Sequence, residues 1–209
     1  MLRGINNNII TFKSGKQGQI PALEREKTVA ILGASKETPQ NKQYIQMAYE
    51  VANDLAKQGF NVVTGGGYGI MKAANEGAWD ANPKKSFAVN VKAWVDEHKK
   101  KIFNLLTEVD TGAQRTDLFR NIAKYWIVFP GGPGTMQELS VGGESKYYKS
   151  EPSPEMILVG KKFQQPLFDY LKNMNDMAVA TNADKTYQLA DSRNEIVQKV
   201  VGSKINLVA

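Results

Sequence analysis

The stretch Tyr125-Trp126-Ile127-Val128-Phe129-Pro130-Gly131-Gly132-Pro133-Gly134-Thr135 decides how the chain is read. Five apolar residues in unbroken succession suit a parallel strand buried on both faces. A glycine- and proline-rich loop follows, and Thr135 opens a further helix. The same order occurs twice upstream. Thr28-Val29-Ala30-Ile31-Leu32 runs into Gly33-Ala34-Ser35, and apolar residues then recur at helical spacing from Ile45 to Ala56 before Gly59 stops them. Asn61-Val62-Val63-Thr64 runs into Gly65-Gly66-Gly67-Tyr68-Gly69, with a helix expected over residues 70–81. Further strands are expected at 86–91, within 103–109 and at 156–159, and further helices at 113–123, 166–172 and 194–201. Strands alternating with helices predict a single doubly wound α/β domain: a Rossmann-like parallel sheet with helices on both faces, over residues 27–209. Residues 1–26, rich in Asn, Gln, Lys and Gly, read as an arm with a short strand near residues 9–12.

Composition narrows the function classes. The chain has 209 residues, 42% of them apolar, which is enough for one globular core. It has no cysteine, which excludes disulfides, thiolate zinc sites and cysteine nucleophiles. Its one histidine, His98, leaves no basis for a Ser-His-Asp triad or a multi-histidine metal site. No apolar run approaches the roughly 18 residues of a membrane span, and the stretch at residues 9–12 is too short for a signal peptide. The cytoplasm is therefore the expected location. The 27 basic and 21 acidic residues give a net charge of +6. The basic residues are scattered, and the one tight run, His98-Lys99-Lys100-Lys101, reads as a solvated loop. No basic stripe with interleaved aromatics appears, so no nucleic-acid partner is expected. The charge fits a small phosphorylated ligand.

In doubly wound folds, ligands bind beyond the carboxyl ends of the strands. The three glycine loops all fall there. Glycine lets backbone approach an anion closely, and a following helix start offers unpaired N–H groups. The loops fit neither the dinucleotide fingerprint G-x-G-x-x-G nor the Walker lysine pattern, which argues against hydride transfer and ATP hydrolysis. Geometry adds two side chains. A helix over 113–123 descends roughly 16 Å at 1.5 Å per residue. The strand from Tyr125 climbs back about the same distance at 3.3 Å per residue. Arg115 and the Pro130 loop should thus share one sheet edge, with Glu138 in the first turn after the loop.

Two stretches, Gly65-Gly66-Gly67-Tyr68-Gly69-Ile70-Met71 with Ala73-Ala74-Asn75-Glu76-Gly77-Ala78, and Pro130-Gly131-Gly132-Pro133-Gly134-Thr135-Met136-Gln137-Glu138, resemble the hallmark motifs of the LONELY GUY family. The resemblance covers residues 27–200. It implies an enzyme that hydrolyses the N-glycosidic bond of a nucleoside 5′-monophosphate, such as AMP, to free base and ribose 5-phosphate, without metal or redox cofactor. It also implies a homodimer or higher homo-oligomer. Arg115 and Glu138 take the places of the catalytic pair. Gly33, Ser35, Gly66, Gly67, Gly131, Gly132, Gly134 and Thr135 would hold the phosphoribose. The chemistry suits these groups: a carboxylate stabilises an oxocarbenium-like state and orients water, and arginine stabilises phosphate or departing base.

Plainer readings stand beside these. Thr135-Met136-Gln137-Glu138 has the spacing of a capping box, in which Glu138 would only cap backbone N–H groups. Arg115 also reads as a surface helix residue, Ser35 as a turn residue, and Phe119 and Trp126 as core. The chain departs from the family pattern at Thr116, where a lysine is usual, and at Gln137, where an acid is usual. Gly142-Gly143 should weaken the helix after Glu138 by about 1 kcal/mol per glycine. The alternative function is a non-catalytic nucleotide- or molybdenum-cofactor-type binding or carrier protein, since molybdenum cofactor carriers share the glycine loops.

Overall fold

A computed structural model describes residues 23–94 and 102–202. The arm with its expected strand at residues 9–12, and the basic run at residues 98–101, lie outside the described residues. Seven strands form one all-parallel sheet: β1 (Thr28–Leu32), β2 (Asn61–Thr64), β3 (Ser86–Val91), β4 (Asn104–Val109), β5 (Tyr125–Val128), β6 (Glu155–Val159) and β7 (Tyr187–Ala190). Their order is β4-β3-β2-β1-β5-β6-β7. The connecting helices are α1 (Lys42–Lys57), α2 (Ile70–Ala81), α3 (Gly112–Ile122), α4 (Pro133–Tyr147), α5 (Lys161–Asp176) and α6 (Arg193–Val201).

Alternation along each strand divides the core. Val29, Ile31, Tyr125, Ile127 and Phe129 pack with α1, α2 and α6 on one face. Ala30, Leu32, Trp126 and Val128 pack with α3 and Leu139 of α4 on the other. Both faces are covered, and that is why the central strands read as continuous apolar runs rather than as alternating ones. The expected Rossmann-like class holds.

Three local expectations change. β7 was not anticipated; Tyr187, Gln188 and Leu189 are only half-buried at the sheet edge, so no apolar run marks them. α5 begins at Lys161, and Pro166 stands inside it rather than at its start. α4 is continuous through Gly142 and Gly143, which do not break it. Both glycines are buried in close packing. A Cβ on Gly142 would lie 2.8 Å from Met156 Sδ and 2.9 Å from the Trp126 ring, and one on Gly143 would overlap the Tyr187 hydroxyl. The helix gives up intrinsic propensity for close approach to the sheet.

Gly142→Ala therefore separates the two effects. Alanine favours a helix by about 1 kcal/mol, whereas overpacking a filled site costs about 1–3 kcal/mol. We expect a lower midpoint in urea denaturation for this variant, and a raised midpoint would show that Met156 gives way freely.

Candidate functional site

The chain runs from β1 outward through β2, β3 and β4, then returns to add β5 on the other side of β1. β1 and β5 pair in parallel register, Ala30 with Trp126 and Leu32 with Val128. The loops leaving these two strands diverge to opposite faces, opening a crevice at the carboxyl edge. Backbone bonds hold its walls: Ala34 N–H donates to Pro130 O at 3.1 Å, and Ile70 N–H donates to Ala34 O at 3.0 Å.

The crevice has two lobes. The first, of about 220 Å³, is lined by Gly33, Ser35, Met71, Arg115, Pro133 and Glu138, together with Gly132, Gly134 and Thr135 at the start of α4. The second is of similar size, and Ser35, Met71 and Arg115 belong to both. It adds Gly65, Gly67, Tyr68, Asn90 and Val91. Eight of the ten anticipated site residues thus line one lobe or the other. Gly66 and Gly131 line neither. A Cβ on Gly131 would overlap the Thr135 side chain, and one on Gly66 would overlap Asn90. Those two glycines make room for Thr135 and Asn90, which line the cleft themselves.

Arg115 and Glu138 meet at the floor. Arg115 Nη2 donates to Glu138 Oε1 at 2.9 Å, and the two residues are 8% and 4% exposed. Arg115 sits in the second turn of α3, whose start is fixed by a reciprocal capping box between Thr111 and Gln114. Its guanidinium lies 5.9 Å from the centroid of the Phe119 ring, which is itself edge-on to Trp126. Phe119 is thus a core residue that supports the arginine from below. Glu138 does not cap α4. The helix begins at Pro133 with Gly132 as N-cap, and no side chain caps it. Thr135 is its third residue and Glu138 its sixth, one turn too far along for a capping box. The first-turn N–H groups of Gly134 and Thr135 precede the first intrahelical bond, Met136 N–H to Gly132 O, and both residues line the first lobe.

Burial pushes the Glu138 carboxyl above its ordinary value, and the charge and hydrogen bond of Arg115 oppose that rise. Thr116, adjacent to Arg115, turns away and donates to Gly112 O of its own helix. A buried network steadies the second glycine loop. Gly66 N–H donates to Thr64 Oγ1, Thr64 Oγ1 donates to Asn75 Oδ1, and Asn75 Nδ2 donates to Phe87 O and Ser86 Oγ. Asn75, quoted above only as part of a motif, therefore anchors the loop from behind. Glu76, next in the motif, points outward to Lys72. Asn90, Met71 and Tyr68 are site-lining residues that the sequence reading did not assign. Met71 was within reach, since it lies in the first turn of α2, directly after a glycine loop. Among the described residues, no group of three or more His, Cys, Asp or Glu is placed to hold a metal ion. No helix among them is long and apolar enough to cross a membrane.

A parallel seven-stranded sheet with its cleft at the strand-order reversal defines a Rossmann-like α/β protein. The chain belongs to the SLOG cluster4 family, whose model matches residues 26–186. The SLOG superfamily includes LOG-like proteins, so the resemblance to LONELY GUY motifs holds at that broader level. No curated relative matches the chain in sequence. Solved structures share its fold. The molybdenum cofactor binding protein of Rippkaea orientalis is 19% identical, with a TM-score of 0.62 over 87% of this chain and 99% of that one. The molybdenum cofactor carrier protein of Chlamydomonas reinhardtii is 18% identical, with a TM-score of 0.57 over 88% of this chain and all of that one, a coverage of 100%. DNA processing protein A of Helicobacter pylori, described for its single-stranded DNA binding mode, is 16% identical, with a TM-score of 0.59 over 97% and 95%. At these identities the likeness is one of fold.

The ion pair yields a pH-dependent expectation. Between the ordinary carboxyl value of 4.5 and the raised native one, the folded state holds more protons than the unfolded chain. The stability Glu138 contributes therefore falls as pH rises through that window. Arg115→Met strips the opposing cation and should destabilise by about 3–5 kcal/mol near neutral pH. The deficit should shrink toward about pH 5. Adding Glu138→Gln to that variant should flatten the pH dependence in urea titrations. A deficit already flat with pH would mean that Glu138 is not the group left uncompensated.

Proposed function

We propose that this protein binds a small phosphorylated ligand of nucleotide type, with the phosphate at the N-terminus of α4, and retains it without cleavage. The observation behind this reading is at Gly132 and Gly134. A Cβ at either meets nothing within 4 Å, and Gly132 has an ordinary φ of −97°. The fold does not require glycine at these positions, whereas close approach of an anion to the backbone does. The molybdenum cofactor binding and carrier proteins that share the fold support a binder over an enzyme.

A second reading, N-glycosidic hydrolysis of a nucleoside 5′-monophosphate, is favoured by one observation: Glu138 meets Arg115 in the cleft instead of capping its helix. There the carboxylate would steady positive charge at the sugar carbon and orient the water that adds to it, and the base would leave with a proton.

Calorimetric titration and assay of base release separate these readings. AMP should bind far more tightly than adenosine and be recovered intact. Gly134→Ala should hold or raise the melting temperature while weakening AMP binding by about tenfold or more, equivalent to 1.4 kcal/mol. Equal binding of nucleotide and nucleoside would remove the phosphate reading. Release of free base, falling on the order of 10²-fold in Glu138→Gln, would establish hydrolysis instead. A single-stranded oligodeoxynucleotide belongs in the same series because of the DNA-binding neighbour; it should bind no more tightly than AMP.

A further inference from the structure

Among the described residues, side-chain amides are buried at four places, and three are bonded. Asn75 bonds Thr64, Ser86 and Phe87; Asn61 bonds Thr28 and Lys85; Gln164 donates to Val159 O. Asn90 is the exception. It is only 7% exposed, yet its amide makes no hydrogen bond among the described residues, and it lines the second lobe of the cleft. A mostly buried carboxamide that bonds no described residue and opens onto a cleft is placed to meet what enters that cleft.

The local structure is arranged around this amide. Asn90 is the penultimate residue of β3, on the strand face opposite Val89 and Val91, which pack into the core. Its Oδ1 occupies the space that a side chain at position 66 would need, and Gly66, with φ of +63°, leaves that space open. The lobe around it has about 220 Å³. Met71 and Val91 supply apolar walls, the half-exposed Tyr68 ring stands at the rim, and Ser35 and Arg115 connect to the first lobe. Apolar walls with one amide at the inner edge suit a flat ring with polar atoms along one side.

We propose that Asn90 is the specificity residue of the cleft. Its amide pairs with the edge of a planar nitrogen heterocycle that presents a hydrogen-bond donor next to an acceptor. A carboxamide matches such an edge bidentately, as asparagine does with the amino group and ring nitrogen of adenine. The heterocycle sits between Met71, Val91 and Tyr68, while the rest of the ligand extends past Arg115 to the start of α4. The proposal rests on the phosphorylated-ligand reading above and adds the class of ring.

The test compares ribose 5-phosphate, AMP and GMP by calorimetry on the wild-type chain, Asn90→Leu and Asn90→Ala. Leucine has nearly the shape of asparagine, and alanine cannot overpack the site. For the wild type, at least one nucleotide should bind more tightly than ribose 5-phosphate. AMP and GMP distinguish an amino–imine edge from a lactam edge. In both variants that nucleotide should weaken by about 5- to 150-fold, the range of one bidentate base contact. Ribose 5-phosphate affinity should stay unchanged, and the melting temperature should hold, because the amide bonds no described residue. Unchanged nucleotide affinity in the variants, or equal losses for nucleotide and ribose 5-phosphate, would overturn the proposal. Equal wild-type affinity for all three ligands would overturn it alone and leave the phosphate reading standing. No binding of any of the three would remove both.

Discussion

The parallel pairing of β1 with β5 is the constraint from which the rest of the molecule follows. Those strands lie side by side in the sheet but far apart in the chain, and β2, β3 and β4 extend in one direction while β6 and β7 extend in the other. The pairing places the Gly33 loop beside the Pro130 loop, and the bond from Ala34 N–H to Pro130 O joins them. Everything proposed for the cleft presupposes that adjacency. α3 and α4 flank β5, so the same pairing brings Arg115 and Glu138, from two different helices, to one point.

The electrostatics of that point are unusual for a structural ion pair. Exposed pairs such as Lys72 with Glu76 contribute little, because water already solvates both partners. Arg115 and Glu138 have lost most of that solvation, and a buried pair of this kind is weak evidence of stabilisation in its own right. Its position suggests another purpose. A guanidinium fixed over Phe119 and bonded to a carboxylate is a preorganised charge at the junction of two lobes.

The fold was legible in the sequence wherever both faces of the sheet are covered. Thr28–Leu32 and Tyr125–Val128 are buried throughout, and their apolar runs show it. β7 was illegible for the opposite reason: three of its four residues are half-buried, and no period of two or run of four stands out. The cleft was partly legible. Glycine loops announce themselves, and strand and helix rise place Arg115 at the right edge. Arg115 and Glu138 are expected at one edge, but the sequence leaves open whether Glu138 caps its helix, because Thr135-Met136-Gln137-Glu138 has capping-box spacing while the helix starts two residues earlier at Pro133. The genuine capping box, Thr111 with Gln114, had an equally plain spacing one helix earlier. Asn90 offered no local signal at all. An asparagine inside a strand pattern reads as a weak strand former, and only the tertiary arrangement shows that its side chain lines the second lobe without a hydrogen bond to any described residue.

Gly142 and Gly143 are the least conspicuous residues with a bearing on the cleft. By lacking side chains they let α4 rest directly on Trp126, Met156 and Tyr187, and one turn upstream the same helix holds Glu138. α4 is in effect a rigid beam, and these glycines are its seat. The thickness of the seat sets how far the carboxylate sits below the rim, so the depth of the cleft is gauged from the dry side of the sheet. Variation at residues remote from the cleft would thus shift the carboxylate on its floor.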